Sequence, residues 1–274
     1  MAESDQKQSD SGSSTPPSDP LDPMIPLSDE HKTIRPPLMT YAIIGANIAT
    51  WLLVQGAGFN EPVLAASVCN YGMVPGEVTR MAALGSGIPI GPGMACVIDN
   101  EAVNNFTPLT SMFLHGSWMH LIFNMLYMWV FGNNIEDSMG SARFLAFYLI
   151  AGLAGSAAHV LVDPASPVPT VGASGAISGV MGAYLILYPT IRVKMFIPPF
   201  FVLRMRAWFV LIWWIVGQVL SGLPEVMGMR PDVSGGVAFW AHVGGFVAGM
   251  ILVKVFENPR LVAQRAVPGE LRRG

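Results

Sequence analysis

Gly172-Ala173-Ser174-Gly175-Ala176-Ile177-Ser178-Gly179 stands immediately before the apolar run Val180–Tyr188, and its reading decides what kind of molecule this is. A serine among glycines at the mouth of a hydrophobic segment has two readings. In one, the glycines only let helices pack backbone to backbone while Ser174 bonds its own helix. In the other, Ser174 is a nucleophile that needs a base. Sixty-eight residues later, Ala241-His242-Val243-Gly244-Gly245 sets a histidine inside another hydrophobic segment. An ionisable side chain is costly in a bilayer, so a histidine there is a functional residue by default. Gly175 and Gly179, like Gly245 and Gly249, are four apart and give each helix a small-residue face for close approach. With His242 present, the second reading is preferred: Ser174 as nucleophile, His242 as base.

Composition agrees with a membrane setting. The chain of 274 residues is 52% hydrophobic and only 12% charged, with mean hydropathy +0.48. Soluble domains carry about 25% charged residues, so an all-α polytopic membrane protein is expected. The net charge of −3 gives no argument for a nucleic-acid partner, and none is expected. Six apolar runs approach the roughly 17–25 residues that cross a bilayer: Leu38–Val54, Leu109–Phe131, Phe144–Val162, Val171–Tyr188, Ala207–Leu223 and Val237–Phe256. Residues 1–37, rich in Ser, Pro and Asp, read as a disordered tail. Residues 38–256 read as one six-helix domain, and 257–274 as a second tail. The first connection, 55–108, is the longest and is expected to hold short helices at the membrane interface. It also contains both cysteines, Cys69 and Cys96, which read either as a disulfide or as two free thiols.

Thirteen of the fifteen Lys and Arg fall in the two tails and the even connections, against Arg80 and Arg230 in the odd ones. The positive-inside rule then places both tails in the cytoplasm and residues 55–108 outside. Under that topology Ser174, His242, His120 and Asn124 reach one level of the outer leaflet from three helices. His120 and Asn124 are four apart and share a helix face. Both can donate hydrogen bonds, as can the Ser174 backbone N–H near a helix start, so the three suit a developing oxyanion. The competing reading of Asn124 is an ordinary interhelical hydrogen bond.

His115, five residues before His120, is expected to point elsewhere on the same helix and to bond locally at the outer mouth. His159 reads as a satisfied interfacial residue, and His31 lies in the tail. No HExxH, CxxC or acidic cluster lies at the depth of Ser174, so no metal and no cofactor are expected. Asp163 and Asp232 lie in connections, which favours a Ser–His dyad over a triad.

At these residues the chain resembles the rhomboid family of intramembrane serine proteases. Leu114-His115-Gly116-Ser117-Trp118-Met119-His120-Leu121-Ile122-Phe123-Asn124-Met125 is similar to the family's second-helix motif. Glu136-Asp137-Ser138-Met139-Gly140 matches its ExxxG signature, Gly172–Gly175 its nucleophile motif and Ala241–Gly245 its base motif. The resemblance implies a six-helix core that cleaves transmembrane segments of other proteins, with Ser174 attacking, His242 as base and His120 and Asn124 holding the oxyanion. His115, Gly172, Gly175, Ser178 and Gly245 would support the site, although Ser178 stands where several members carry an aromatic against the catalytic histidine. Partners would be transmembrane substrates and the lipid bilayer itself. The membrane is expected to be a bacterial inner membrane, since the acidic tail is unlike an Arg-rich mitochondrial leader.

Two other classes fit the sequence less well. A transporter or helix-binding scaffold would use polar residues at the midplane for binding, but the six runs show no convincing internal repeat. An esterase elbow needs Gly-x-Ser-x-Gly, and the fifth position here is Ala176.

Overall fold

In a computed structural model, which describes residues 25–91, 93–99, 101–199, 201–227 and 238–265, every predicted apolar run contains a helix. Strand β1 (Ile25–Asp29) precedes helix α1 (Leu38–Leu53). Helices α2 (Glu61–Tyr71) and α3 (Pro75–Val78), the hairpin β2 (Gly87–Gly91) and β3 (Met94–Val97), and the single turn α4 (Thr107–Thr110) fill the long first connection. Then come α5 (Trp118–Tyr127), a π-type turn (Met128–Gly132), α6 (Asn133–Met139), α7 (Ser141–Val162) and α8 (Ser174–Leu187). Strands β4 (Arg192–Ile197) and β5 (Phe201–Arg206), α9 (Ala207–Val226), α10 (Phe239–Phe256) and α11 (Pro259–Arg265) complete the chain. Among the described residues, α7, α9 and α10 are long and apolar enough to cross a membrane, while α1 and α8 are shorter apolar helices.

The all-α expectation needs correction. The chain is mostly helical, but β1, β4 and β5 form one antiparallel sheet and β2 and β3 a second. The first sheet also corrects the disordered tail over part of its length. Residues 25–29 pair with β4, and the segment after them is anchored. The Ile34 N–H donates to Asp137 Oδ2 at 2.9 Å, and Arg35 Nη1 meets Asp137 Oδ1 at 3.1 Å. Residues 1–24 lie outside the described residues.

The second predicted run is displaced. Leu109–Phe131 was expected as one helix, but helix α5 starts only at Trp118. Ser117 is extended and its side chain accepts the His120 N–H at 3.1 Å, an N-cap that starts a helix where the apolar pattern alone would continue one. The helix then runs through the π-type turn to Met139.

Packing around α10 is close. A methyl group on Gly249 would overlap the Gly179 carbonyl, and one on Gly245 would overlap that of Gly175. The two small-residue faces read from the sequence therefore meet each other. Gly155 on α7 approaches the Ala241 carbonyl in the same way. Helices α7, α8 and α10 thus form a tight three-helix centre.

At the β1–β4–β5 end, Glu136 is the organising residue. Its buried carboxylate accepts the N–H of Met39 at 2.9 Å, the N–H of Thr40 at 2.7 Å, and the hydroxyls of Thr40 (2.8 Å) and Ser141 (2.6 Å). The first turn of any helix leaves N–H groups unsatisfied, and α1 has no side-chain cap of its own. Glu136 supplies it from another helix, and Gly140 at φ +83° turns the chain from α6 into α7.

At the opposite end, a Cys69–Cys96 disulfide ties α2 to β3, deciding between the two readings of the cysteines. Gln55, just past α1, donates through its amide to the His115 carbonyl at 2.8 Å and accepts the His115 N–H at 2.8 Å. Met73 and Thr170 exchange backbone hydrogen bonds of 2.9 and 2.8 Å, joining the first connection to the loop before α8.

Candidate active site

Ser174 is the first residue of α8, so its backbone N–H has no acceptor in its own helix. Its Oγ lies 2.7 Å from His242 Nε2, which α10 presents less than one turn past its start. That distance follows from the glycine seam, because two helices must touch backbone to backbone before such short side chains can meet.

The other ring nitrogen, His242 Nδ1, lies 2.6 Å from Gln218 Oε1 on α9. An amide oxygen only accepts, so in this orientation Nδ1 carries the proton and Nε2 presents its lone pair to Ser174. Trp214, one turn before Gln218, lies tilted beside the same imidazole with ring centroids 5.7 Å apart. His242 is thus held by a hydrogen bond and an aromatic face, both from α9.

His120 comes to the same place from α5. A methyl group on Gly172 would lie 2.8 Å from His120 Nε2 and 3.4 Å from Ser174 Oγ, so both atoms border the space in front of Gly172. Gly172 also has φ +135°, a conformation side chains rarely adopt. His120 Nδ1 accepts the Gly116 N–H at 3.4 Å, which leaves the proton on Nε2, facing Gly172 and Ser174. Asn124 gives one amide N–H to the His120 carbonyl at 3.0 Å, the ordinary back-bond within a helix, and keeps its second.

A match to the rhomboid domain covers residues 104–258, more than half of the chain. The chain belongs to the rhomboid family. The stretch includes Ser174, His242, His120, Asn124, Gln218 and Trp214. Among curated relatives, Rhomboid protease GluP of Bacillus subtilis is 46% identical over 89 residues, covering 32% of this chain and 17% of that protein. Rhomboid protein 1, mitochondrial, of Saccharomyces cerevisiae is 34% identical over 93 residues, covering 32% of this chain and 27% of the relative. Rhomboid-like protease 5 of Toxoplasma gondii is 28% identical over 167 residues, or 56% of this chain and 17% of the relative. The matches therefore span well under half the length of these relatives. Family membership and the apolar helices together make this rhomboid an integral membrane protein.

Two predicted positions in this rhomboid, His115 and Ser178, differ from expectation. His115 is not on the helix of His120: it precedes the Ser117 cap, is fully buried, and packs edge-on against the His120 ring at 5.1 Å. Ser178 donates to the Ser174 carbonyl at 2.6 Å, so its hydroxyl is satisfied within α8 and is not directed to His242. An aromatic ring beside His242 is supplied from α9 instead, by Trp214. Gly175 and Gly245, expected as supports, meet in the seam itself. His159 was expected to be satisfied, but only half of its ring is: Nε2 lies 3.1 Å from Thr170 Oγ1, while Nδ1 is buried and meets no partner among the described residues. Among the described residues no cluster of three His, Cys, Asp or Glu could hold a metal. Asp232, the acidic residue weighed as a third member, lies outside the described residues.

Gln218 escaped the sequence reading. A lone glutamine in the apolar run 207–223, one turn after a tryptophan, was the available signal. An acid is the usual orienting partner of a catalytic histidine, and a neutral amide carries no such signal in a sequence.

Proposed function

We propose that this rhomboid is an intramembrane serine endopeptidase that cleaves transmembrane segments of other proteins through the dyad Ser174–His242. The observation that carries the reading is the 2.7 Å contact between Ser174 Oγ and His242 Nε2 at the start of α8. His242 takes the Ser174 proton as the oxygen attacks the scissile carbonyl, then delivers it to the leaving amine. Hydrolysis of the acyl-enzyme by water repeats the cycle with water as nucleophile. The oxyanion is met by the Ser174 backbone N–H, by His120 Nε2–H and by the free amide N–H of Asn124. Gln218 holds the His242 tautomer that lets Nε2 act as base. Unlike a carboxylate it brings no negative charge to the imidazolium, so it acts by orientation.

The domain comprises residues 38–256 as six membrane spans, with both flanking segments cytoplasmic and the site opening on the far side. The bias of thirteen cations in fifteen supports that orientation. The polar groups of the site then face the aqueous side from which water enters.

Labelling of the detergent-solubilised full chain with a fluorophosphonate serine probe tests the reading. The wild type labels, and Ser174→Ala and His242→Ala do not, while all three keep the same thermal melt. A folded wild type that stays unlabelled would move the protein to the class of helix-binding scaffolds.

A further inference from the structure

One face of the β1–β4–β5 sheet breaks a rule of strand pairing. Residues directly opposite each other in an antiparallel pair project to the same side, where like charges are destabilising. Arg192 stands opposite Arg206, and Lys194 opposite Arg204. Alternate residues of a strand share a face, so these four cations form one square patch. The other face carries Val193, Met195 and Met205 and packs into the core. Arg204 reaches Glu30 at 3.4 Å. Among the described residues Arg192, Lys194 and Arg206 make no salt bridge.

The same face changes character along the strands. Beyond the cations Phe196 stands opposite Val202 on one side and Ile25 on the other. The cationic end lies where two apolar helices stop. Here the Ala207 N–H donates to the Ile191 carbonyl at 2.8 Å and the Trp208 N–H to that of Pro189 at 2.9 Å. The patch is therefore level with the ends of α8 and α9, where a membrane protein meets lipid headgroups.

We propose that this face binds an anionic phospholipid, its phosphate among Arg192, Lys194, Arg204 and Arg206 and its acyl chains running back from the patch along the apolar helices α8 and α9. An anion across the square removes the repulsion that the two opposed cation pairs otherwise carry. A zwitterionic lipid does so less well, because its own cation accompanies the phosphate.

The test is the thermal melt of the purified full chain in neutral detergent, with added short-chain phosphatidylglycerol, phosphatidylcholine of equal chain length, or inorganic phosphate. Phosphatidylglycerol at about a hundredfold excess over its dissociation constant raises Tm by about 5 °C, and the other two do not. The variant R192Q/K194Q/R204Q/R206Q loses the rise. Should that variant fail to fold, R204Q/R206Q, altered only at exposed side chains of the edge strand, loses at least half of it. R143Q/R260Q, which removes two exposed cations elsewhere, keeps it. An equal rise with phosphatidylcholine would overturn the proposal as a general amphiphile effect, and an equal rise with phosphate would overturn it as a free-anion effect. A full rise in R204Q/R206Q, or a loss in R143Q/R260Q as large as in R204Q/R206Q, would overturn it as well.

Discussion

Helix α10 has two neighbours of opposite kind. Towards α8 it offers Gly245 and Gly249, and the contact is backbone on backbone with no room for a methyl group. Towards α9 it offers the His242 ring, and the contact is made by side chains, Gln218 and Trp214. The first interface sets a distance, and the second sets the state of one residue. A hydroxyl and an imidazole on different helices can stay 2.7 Å apart only if the helices cannot slide. The tautomer and tilt of the imidazole, by contrast, are adjustable by single side chains. Substitutions on the two sides are therefore expected to fail differently, the seam through the fold and the α9 side through the chemistry.

The largest effect is expected at the seam. Gly249→Leu forces a branched side chain against the Gly179 carbonyl, and overpacking against backbone has no flexible neighbour to yield. It should abolish the folded species, read as loss of the monodisperse peak in gel filtration and of a cooperative melt. A Gly249→Leu protein with wild-type Tm would break the comparison at its stronger end.

On the other side, Gln218→Leu removes the acceptor of His242 Nδ1 and nothing from the seam. Hydrogen bonds to a group that becomes charged are worth about 1.5–3 kcal/mol, so the rate of fluorophosphonate labelling should fall roughly 10–100-fold. Its Tm should stay close to wild type. Gln218→Glu sharpens the point: its carboxylate still accepts from Nδ1, so labelling should stay well above that of Gln218→Leu. Labelling as slow as that of Gln218→Leu would mean that position 218 does not face the His242 ring.

The smallest effect is expected at Trp214. Ring contacts of this kind contribute about 0.5–1.5 kcal/mol beyond burial, so Trp214→Leu should slow labelling by roughly two- to tenfold. A slowing larger than that of Gln218→Leu would reverse the order of the two supports.

This contrast also explains what could be read from the chain beforehand. The seam is a local pattern, glycines four apart on two apolar runs, and local patterns survive into the fold. So do Ser174 and His242, because a histidine in an apolar run is conspicuous. The start of α5 was not legible, since Leu109–Met125 continues the apolar character across Gly116 and Ser117. Only the extended backbone of Ser117 and its capping bond reveal the break. His115 was misplaced for the same reason. Strand β1 was missed because five residues between prolines and acids carry no periodicity of their own. Their partner is β4, about 165 positions away in the chain. Glu136 was noticed as part of a motif, but its work as the cap of α1 needs three dimensions.

The pairing of β1 has a consequence for how the protein is made. The strand is synthesised before the first apolar helix, yet the edge it joins is made only after α8. At roughly 5–20 residues per second of translation, about 10–30 s separate the two. Through that interval Ile25–Asp29 has no sheet to join, and its Asp29 lacks the Tyr184 hydroxyl and the Asn134 amide that it later meets. The segment that comes early in synthesis is thus among the last to settle. Its docking reports that α6, α8 and the β4–β5 hairpin have already assembled.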